Sequence, residues 1–104
     1  LSTQFLAALN SRQGAQVAAL YTADATAIHV GKALRGTASI QAGYASFLAS
    51  IPAGTTFTFT RVGIQGVTRY LSWKAGDISG LTTLVVAQEK ITLSFTRITP
   101  PPAG

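Results

Sequence analysis

One histidine, three carboxylates and no cysteine make up most of the reactive inventory of this 104-residue chain. His29 closes the run "ADATAIH" from Ala23. A neutral imidazole with a reference pKa near 6.5 can take up or release a proton near neutrality, so His29 is the candidate acid–base group. It lacks an obvious orienting carboxylate. Asp24 lies five positions earlier with opposite strand parity and suits a brace at the turn into the strand, while Asp77 and Glu89 fall in turn segments. So few acids argue against paired-carboxylate chemistry. A single histidine without cysteine leaves too few ligands for a dedicated metal site, and no cofactor is expected. Disulfides and thiolate catalysis are excluded outright.

Arg69 is the second candidate. In "VTRYLSWKA", alternation puts Arg69, Leu71 and Trp73 on one face of a strand. A buried guanidinium needs a carboxylate, carbonyls or an anion; near a strand end it can instead lie over Trp73 and reach solvent. If it points inward, His29 as base and Arg69 as fixed positive charge suit enolisation, dehydration or cyclisation of a small carbonyl compound, in which negative charge develops on oxygen.

The elements that must position these groups follow from hydrophobic period. Phe5, Leu6 and Leu9 fit one helical face, and Val17, Leu20 and Tyr21 mark a second short helix after "NSRQG". Ala25 to Val30 reads as a strand with Ala25, Ala27 and His29 on one face. Thr37 is a plausible N-cap for a third helix to Ser50, where Ile40, Tyr44, Phe47, Leu48 and Ile51 recur at helical spacing until Pro52 and Gly54. From Thr55 the period changes to two. "TFTFTRV" leads through a turn at Gly63–Gly66 into "VTRYLSWKA"; Leu81–Gln88 and Lys90–Ile98 follow, joined near Gln88–Glu89, with Ile91, Leu93 and Phe95 as the apolar side of the last strand. The expectation is an α+β domain over residues 1–98, with helices on one face of a curved antiparallel sheet and a cavity at its open end. Residues 99–104, "TPPPAG", read as a proline-rich tail.

At 104 residues and 47% hydrophobic, the chain suffices for one core and not for two. The net charge of +5 reflects scarce acids rather than a basic tract, because Arg12, Lys32, Arg35, Arg61, Arg69, Lys74, Lys90 and Arg97 are scattered. No apolar run approaches the roughly 20 residues of a membrane-spanning helix. A cytoplasmic location is the default expectation, and the start at Leu1 leaves room for a missing terminal segment.

The run "FLAALNSRQGAQVAALYTADATAIH…LRGTASIQAGYASFL", with the late "LTTLVVAQEKITLSF", resembles the NTF2-like superfamily, in particular its SnoaL-like and ketosteroid-isomerase-like members. The resemblance implies a cone of helices packed on a curved sheet that encloses a pocket. It places His29 where the steroid isomerases carry a general-base aspartate. Their two oxyanion donors, a tyrosine and a protonated aspartate, fall on Phe5 and on or near Thr82, neither of which reproduces that oxyanion hole; steroid isomerisation by that route is rejected. Tyr44, Leu71, Trp73 and Phe95 join Phe5 and Thr82 as the expected ligand-binding wall.

Three classes of function remain. The first is a cavity protein for a small, mostly apolar or carbonyl-containing molecule, with a cofactor-free isomerase, dehydratase or cyclase using His29 as one form of it. The second is a non-catalytic ligand-binding or dimerisation module, in which the threonine-rich faces of "TFTFT" and "ITLSFT" pack sheet on sheet into a homodimer, as the resemblance also implies. Nucleic-acid binding through "RYLSWK" ranks last, since it needs Tyr70 or Trp73 exposed beside basic groups and alternation buries Trp73.

Overall fold

The computed structural model describes residues 1–99. Two short helices, α1 (Ser2–Asn10) and α2 (Gly14–Ala18), precede a hairpin of β1 (Tyr21–His29) and β2 (Lys32–Arg35). The long helix α3 (Gly36–Ser50) follows, and then β3 (Phe57–Gln65), β4 (Thr68–Ala75), β5 (Ile78–Ala87) and β6 (Lys90–Thr99). The six strands form one curved, unclosed sheet in the order β2-β1-β6-β5-β4-β3. It is antiparallel except at its middle, where β1 runs parallel to β6. This is the α+β architecture expected from the change of period, with that parallel pair as a departure from an all-antiparallel sheet.

Helix α3 forms although Gly43 sits in its interior, at a cost of about 1 kcal/mol relative to alanine. Its buried residues Ile40, Tyr44 and Leu48 outweigh that cost, since each large apolar side chain taken from water contributes about 1.5–3 kcal/mol. They meet Phe5, Leu9 and Val17 from the other helices and Leu71, Trp73, Leu84 and Ile91 from the sheet, all of them buried. Thr37 is not the cap. The cap position is Arg35, no side chain bonds there, and Gly36 at φ +81 turns the chain from β2 into the helix.

The far end of α3 is held from outside. Arg12 directs its guanidinium at the carbonyls of Leu48 (3.1 Å), Ile51, Pro52 and Thr55 (each 2.8 Å), so one cation satisfies the helix C-terminus and the loop beyond it. Asn10 does the equivalent for the edge strand β3: its side chain donates to the Phe57 carbonyl at 3.1 Å and accepts from the Phe57 N–H at 2.7 Å.

Several sequence expectations are corrected. The hairpin strand β2 was not expected, and β3 continues through Gly63 to Gln65, so the turn sits at Gly66–Val67. Gln88 and Glu89 do form the tight β5–β6 turn, both at positive φ (51° and 65°). In β6 the strict alternation fails. Val85 pairs with Leu93 but Val86 pairs with Ile91, so Thr92 is an extra residue that reverses the parity of everything after it. Ile91 is buried, as expected; Leu93 and Phe95 lie on the opposite sheet face, 43% and 48% exposed. Thr99 belongs to β6, and the rest of the expected tail, 100–104, lies outside the described residues.

Candidate functional site

Alternation along β1 aims Ala25, Ala27 and His29 at the helices, and the two alanines are completely covered. Their small side chains let α3 approach closely, which brings the His29 imidazole against two rings of that helix. The ring centroids lie 5.1 Å from Tyr44 and 4.7 Å from Phe47. His29 as a residue is half-buried, yet both of its nitrogens are closed off and neither has a hydrogen-bond partner. Burial pushes its pKa below the ordinary value of 6.5, because the imidazolium loses more hydration than the neutral ring.

Beside His29 a cavity of about 320 Å³ opens to the surface, bounded by Val30, Leu34, Gly43, Phe47 and Ser50. Gly43 lets Leu34 lie directly on the helix at its edge: a Cβ there would stand 2.5 Å from the Leu34 side chain. Across Phe47 lies a second cavity, of about 450 Å³, walled by Ile51, Pro52, Ala75, Ile78 and Ile98 with Asp77 at its edge. The ring of Phe47 stands between them, 6.1 Å from both Phe57 and Trp73. Helical spacing placed Phe47 on the inner side of α3, but its role as a wall shared by two cavities depends on long-range packing that spacing does not encode.

The other expected wall residues are elsewhere. Phe5, Tyr44, Leu71, Trp73 and Thr82 are each no more than 2% exposed and form the filled interior rather than a cavity lining. The cone is closed there by large rings, with Tyr44 edge-on to Phe5 and Trp73 against Phe57. A line of mutually satisfied polar groups runs through it. Trp73 Nε1–H donates to Thr82 Oγ1 at 3.0 Å, Thr82 shares a bond with Thr96 at 3.0 Å, and Tyr21 donates to Ser94 at 2.8 Å while its hydroxyl meets that of Tyr44 at 3.3 Å. Burial raises the pKa of both tyrosines, for Tyr21 well above 10.0 with the adjacent Tyr44 adding to it. Phe95 is not in the wall, because the Thr92 bulge turns it to the outer face.

Arg69 and His29 do not share a cavity. Arg69 is half-buried beside a third cavity, of about 650 Å³, with Leu20, Gly66, Val86, Glu89 and Lys90, and its Nη1 donates to the carbonyls of Gly66 (2.8 Å) and Thr68 (3.3 Å). The backbone of its own turn thus engages one end of the guanidinium, and with His29 at a different cavity the concerted His29–Arg69 chemistry considered from the sequence has no geometric support. Among the described residues, no three of His, Cys, Asp and Glu cluster in a way that could hold a metal ion.

The SnoaL-like domain model matches residues 2–93. A search of curated proteins gives no match. Among solved structures, the chain is similar to a protein of ketosteroid isomerase-like fold from Catenulispora acidiphila, in complex with trimethylamine, at 21% identity and TM-score 0.79, covering 92% of this chain and 82% of that one. It is also similar to a SnoaL-like protein of unknown function from Burkholderia thailandensis (13% identity, TM-score 0.78, 94% and 90% covered). A third is an NTF2-like protein of unknown function from Cytophaga hutchinsonii (12% identity, TM-score 0.75, 95% and 87% covered). At these identities the structures establish the fold.

Proposed function

The chain belongs to the SnoaL-like family, and we propose that it binds a small, mostly apolar molecule carrying one hydrogen-bonding oxygen, with His29 as the polar contact. The observation that carries this is the pair of unpartnered imidazole nitrogens at an aromatic wall. A buried polar group without a partner costs about 1–3 kcal/mol, and nearly all such groups in folded proteins are satisfied by protein, water or a bound molecule. A hydroxyl or carbonyl on the ligand offsets that cost, while Phe47 and Leu34 supply apolar contact. One solved structure of the same fold holds trimethylamine, a molecule small enough to enter the cavity beside His29 with room to spare.

The isosteres p-cresol and p-xylene test the proposal. The chain has one histidine, so its imidazole gives a single set of proton resonances. Binding of p-cresol should shift them and be about tenfold tighter than binding of p-xylene, the equivalent of one hydrogen bond. The preference should vanish in His29→Leu. Equal affinities in the parent protein, or an imidazole that does not respond to p-cresol, would overturn it.

Catalysis is a second reading, favoured by the lowered pKa of His29. A neutral imidazole at neutral pH can take a proton from carbon next to a ligand carbonyl and return it elsewhere, as a cofactor-free isomerase, dehydratase or cyclase requires. That reading expects His29→Gln to abolish turnover while ligand binding persists.

For the partner surface we propose a homodimer through the sheet face opposite the helices. Strand register aligns Tyr70, Thr83, Phe95 and Ile28 in one row across four adjacent strands, with Leu81 and Leu93 on either side. Tyr70, Leu81, Leu93 and Phe95 are 37–48% exposed. An apolar row on a broad face is self-complementary under a two-fold axis. This face is richer in large apolar groups than the threonine-dominated surface expected from the sequence.

A further inference from the structure

We infer that the two cavities on either side of Phe47 are lobes of one ligand site, and that Phe47 sets its specificity for a flat, elongated, mostly apolar molecule with its hydrogen-bonding oxygen at the His29 end. The inference rests on the binding reading above and extends it to a cavity outside the expected site, the one between Ile51, Ala75, Ile78 and Ile98.

Three observations converge on it. Phe47 borders both cavities, as does Ser50 one turn further along α3, so a single side chain accounts for much of the wall between them. That side chain is held by apolar ring contacts, to His29, Phe57 and Trp73 at 4.7–6.1 Å, and it is only half-buried, unlike Ile40, Tyr44 and Leu48 on the same helix. A ring in that position can exchange rotamers without breaking a hydrogen bond, and in doing so it uncovers the faces of Phe57 and Trp73 that it now covers. Finally, the nitrogens of His29 are sealed although part of the residue reaches the surface. A ligand atom gains them only when a covering group gives way, and the Phe47 ring is in contact with the imidazole.

Displacing Phe47 joins about 320 Å³ to about 450 Å³ behind it, a space in the range of sites for molecules of drug size. The ligand replaces the ring contacts that Phe47 gives up: its apolar body lies against Trp73 and Phe57, its far end reaches Ile78 and Ile98, and its oxygen meets His29. Length is therefore selected by the second lobe, and polarity by the first.

The probes are p-cresol, which spans one lobe, and 2-naphthol, which spans more. Isothermal titration of the parent protein should show 2-naphthol binding about tenfold tighter. Ile78→Trp fills the second lobe without touching His29; it should lower 2-naphthol affinity at least tenfold and leave p-cresol within about threefold. Phe47→Ala should raise the association rate of 2-naphthol severalfold, and Phe47→Leu, which keeps apolar bulk if the alanine variant does not fold, should raise it less. If p-cresol shifts the His29 resonances but Ile78→Trp leaves 2-naphthol binding unchanged, or lowers both probes equally, the two-lobed site is wrong while the His29 site stands. An association rate that is the same in the Phe47→Leu variant and the parent protein overturns the role of Phe47. If p-cresol fails to reach His29 at all, both readings fall together.

Discussion

The imidazole of His29 is kept neutral by lost hydration rather than by a partner, and that has a thermodynamic signature. Its pKa is lower in the folded chain than in the unfolded one, so between the two values the unfolded state binds more protons and acid favours unfolding. The associated stability is present above the unfolded value of about 6.5 and is lost as pH falls through the folded value. His29→Gln should flatten the acid side of a plot of urea midpoint against pH; an unchanged acid limb would mean that the ring is hydrated. The buried tyrosines give the opposite slope at the other extreme. Tyr21 and Tyr44 hold their protons in the fold above the ordinary value of 10.0, so stability falls as pH rises past it. Tyr44→Phe should reduce that alkaline loss, read from the same midpoints. At this scale the sequence was informative about direction, since the period of β1 placed His29 on the inner face. It was silent on the ring's surroundings, because Tyr44 and Phe47 reach it through a helix–strand contact rather than through local spacing.

Among the elements, the connection after α3 depends on a residue 36 to 43 positions earlier, which is why no local pattern reveals it. Arg12→Ala removes four charged hydrogen bonds from carbonyls that can then turn to water, so the expected loss in denaturant-measured stability is about 2–3 kcal/mol. Arg12→Lys should recover less than half of it, since a point charge cannot span four carbonyls. The crossing of α2 and α3 is equally intolerant. A Cβ at Gly14 would collide with the Gln41 carbonyl and the Ala45 backbone, so Gly14→Ala should cost about 1–3 kcal/mol by overpacking, despite alanine's better helix propensity. Helix α3 was legible because three positions of helical spacing, Ile40, Tyr44 and Leu48, are also core positions. β2 was missed because "KALR" is short and buries only Leu34. The outward turn of Phe95 was missed because one extra residue, Thr92, reverses a two-residue period while leaving composition unchanged.

For the whole molecule, the exposed row through Tyr70 and Phe95 predicts self-association. Sedimentation at micromolar concentration should give a dimer of the 10.8 kDa chain, and Phe95→Asp should yield a folded monomer, since the residue is outside the core and a buried carboxylate at a two-fold interface is paid for twice. A dimer that survives this substitution would place the interface elsewhere.

The placement of β6 has a consequence for the order in which the chain can become a protein. It lies between β1 and β5, so the last of the six strands to leave the ribosome is the one that joins the hairpin and helices of the first half to the meander of the second. Until it arrives, β1 and β5 each present an open edge, and the apolar face of α3 has only part of a sheet to cover it. Non-local closure of this kind slows folding and leaves apolar surface and strand edges exposed for the time it takes to translate β6. A chain truncated before Lys90 should therefore be protease-sensitive, and protection should appear in one step when the chain is extended through Thr99.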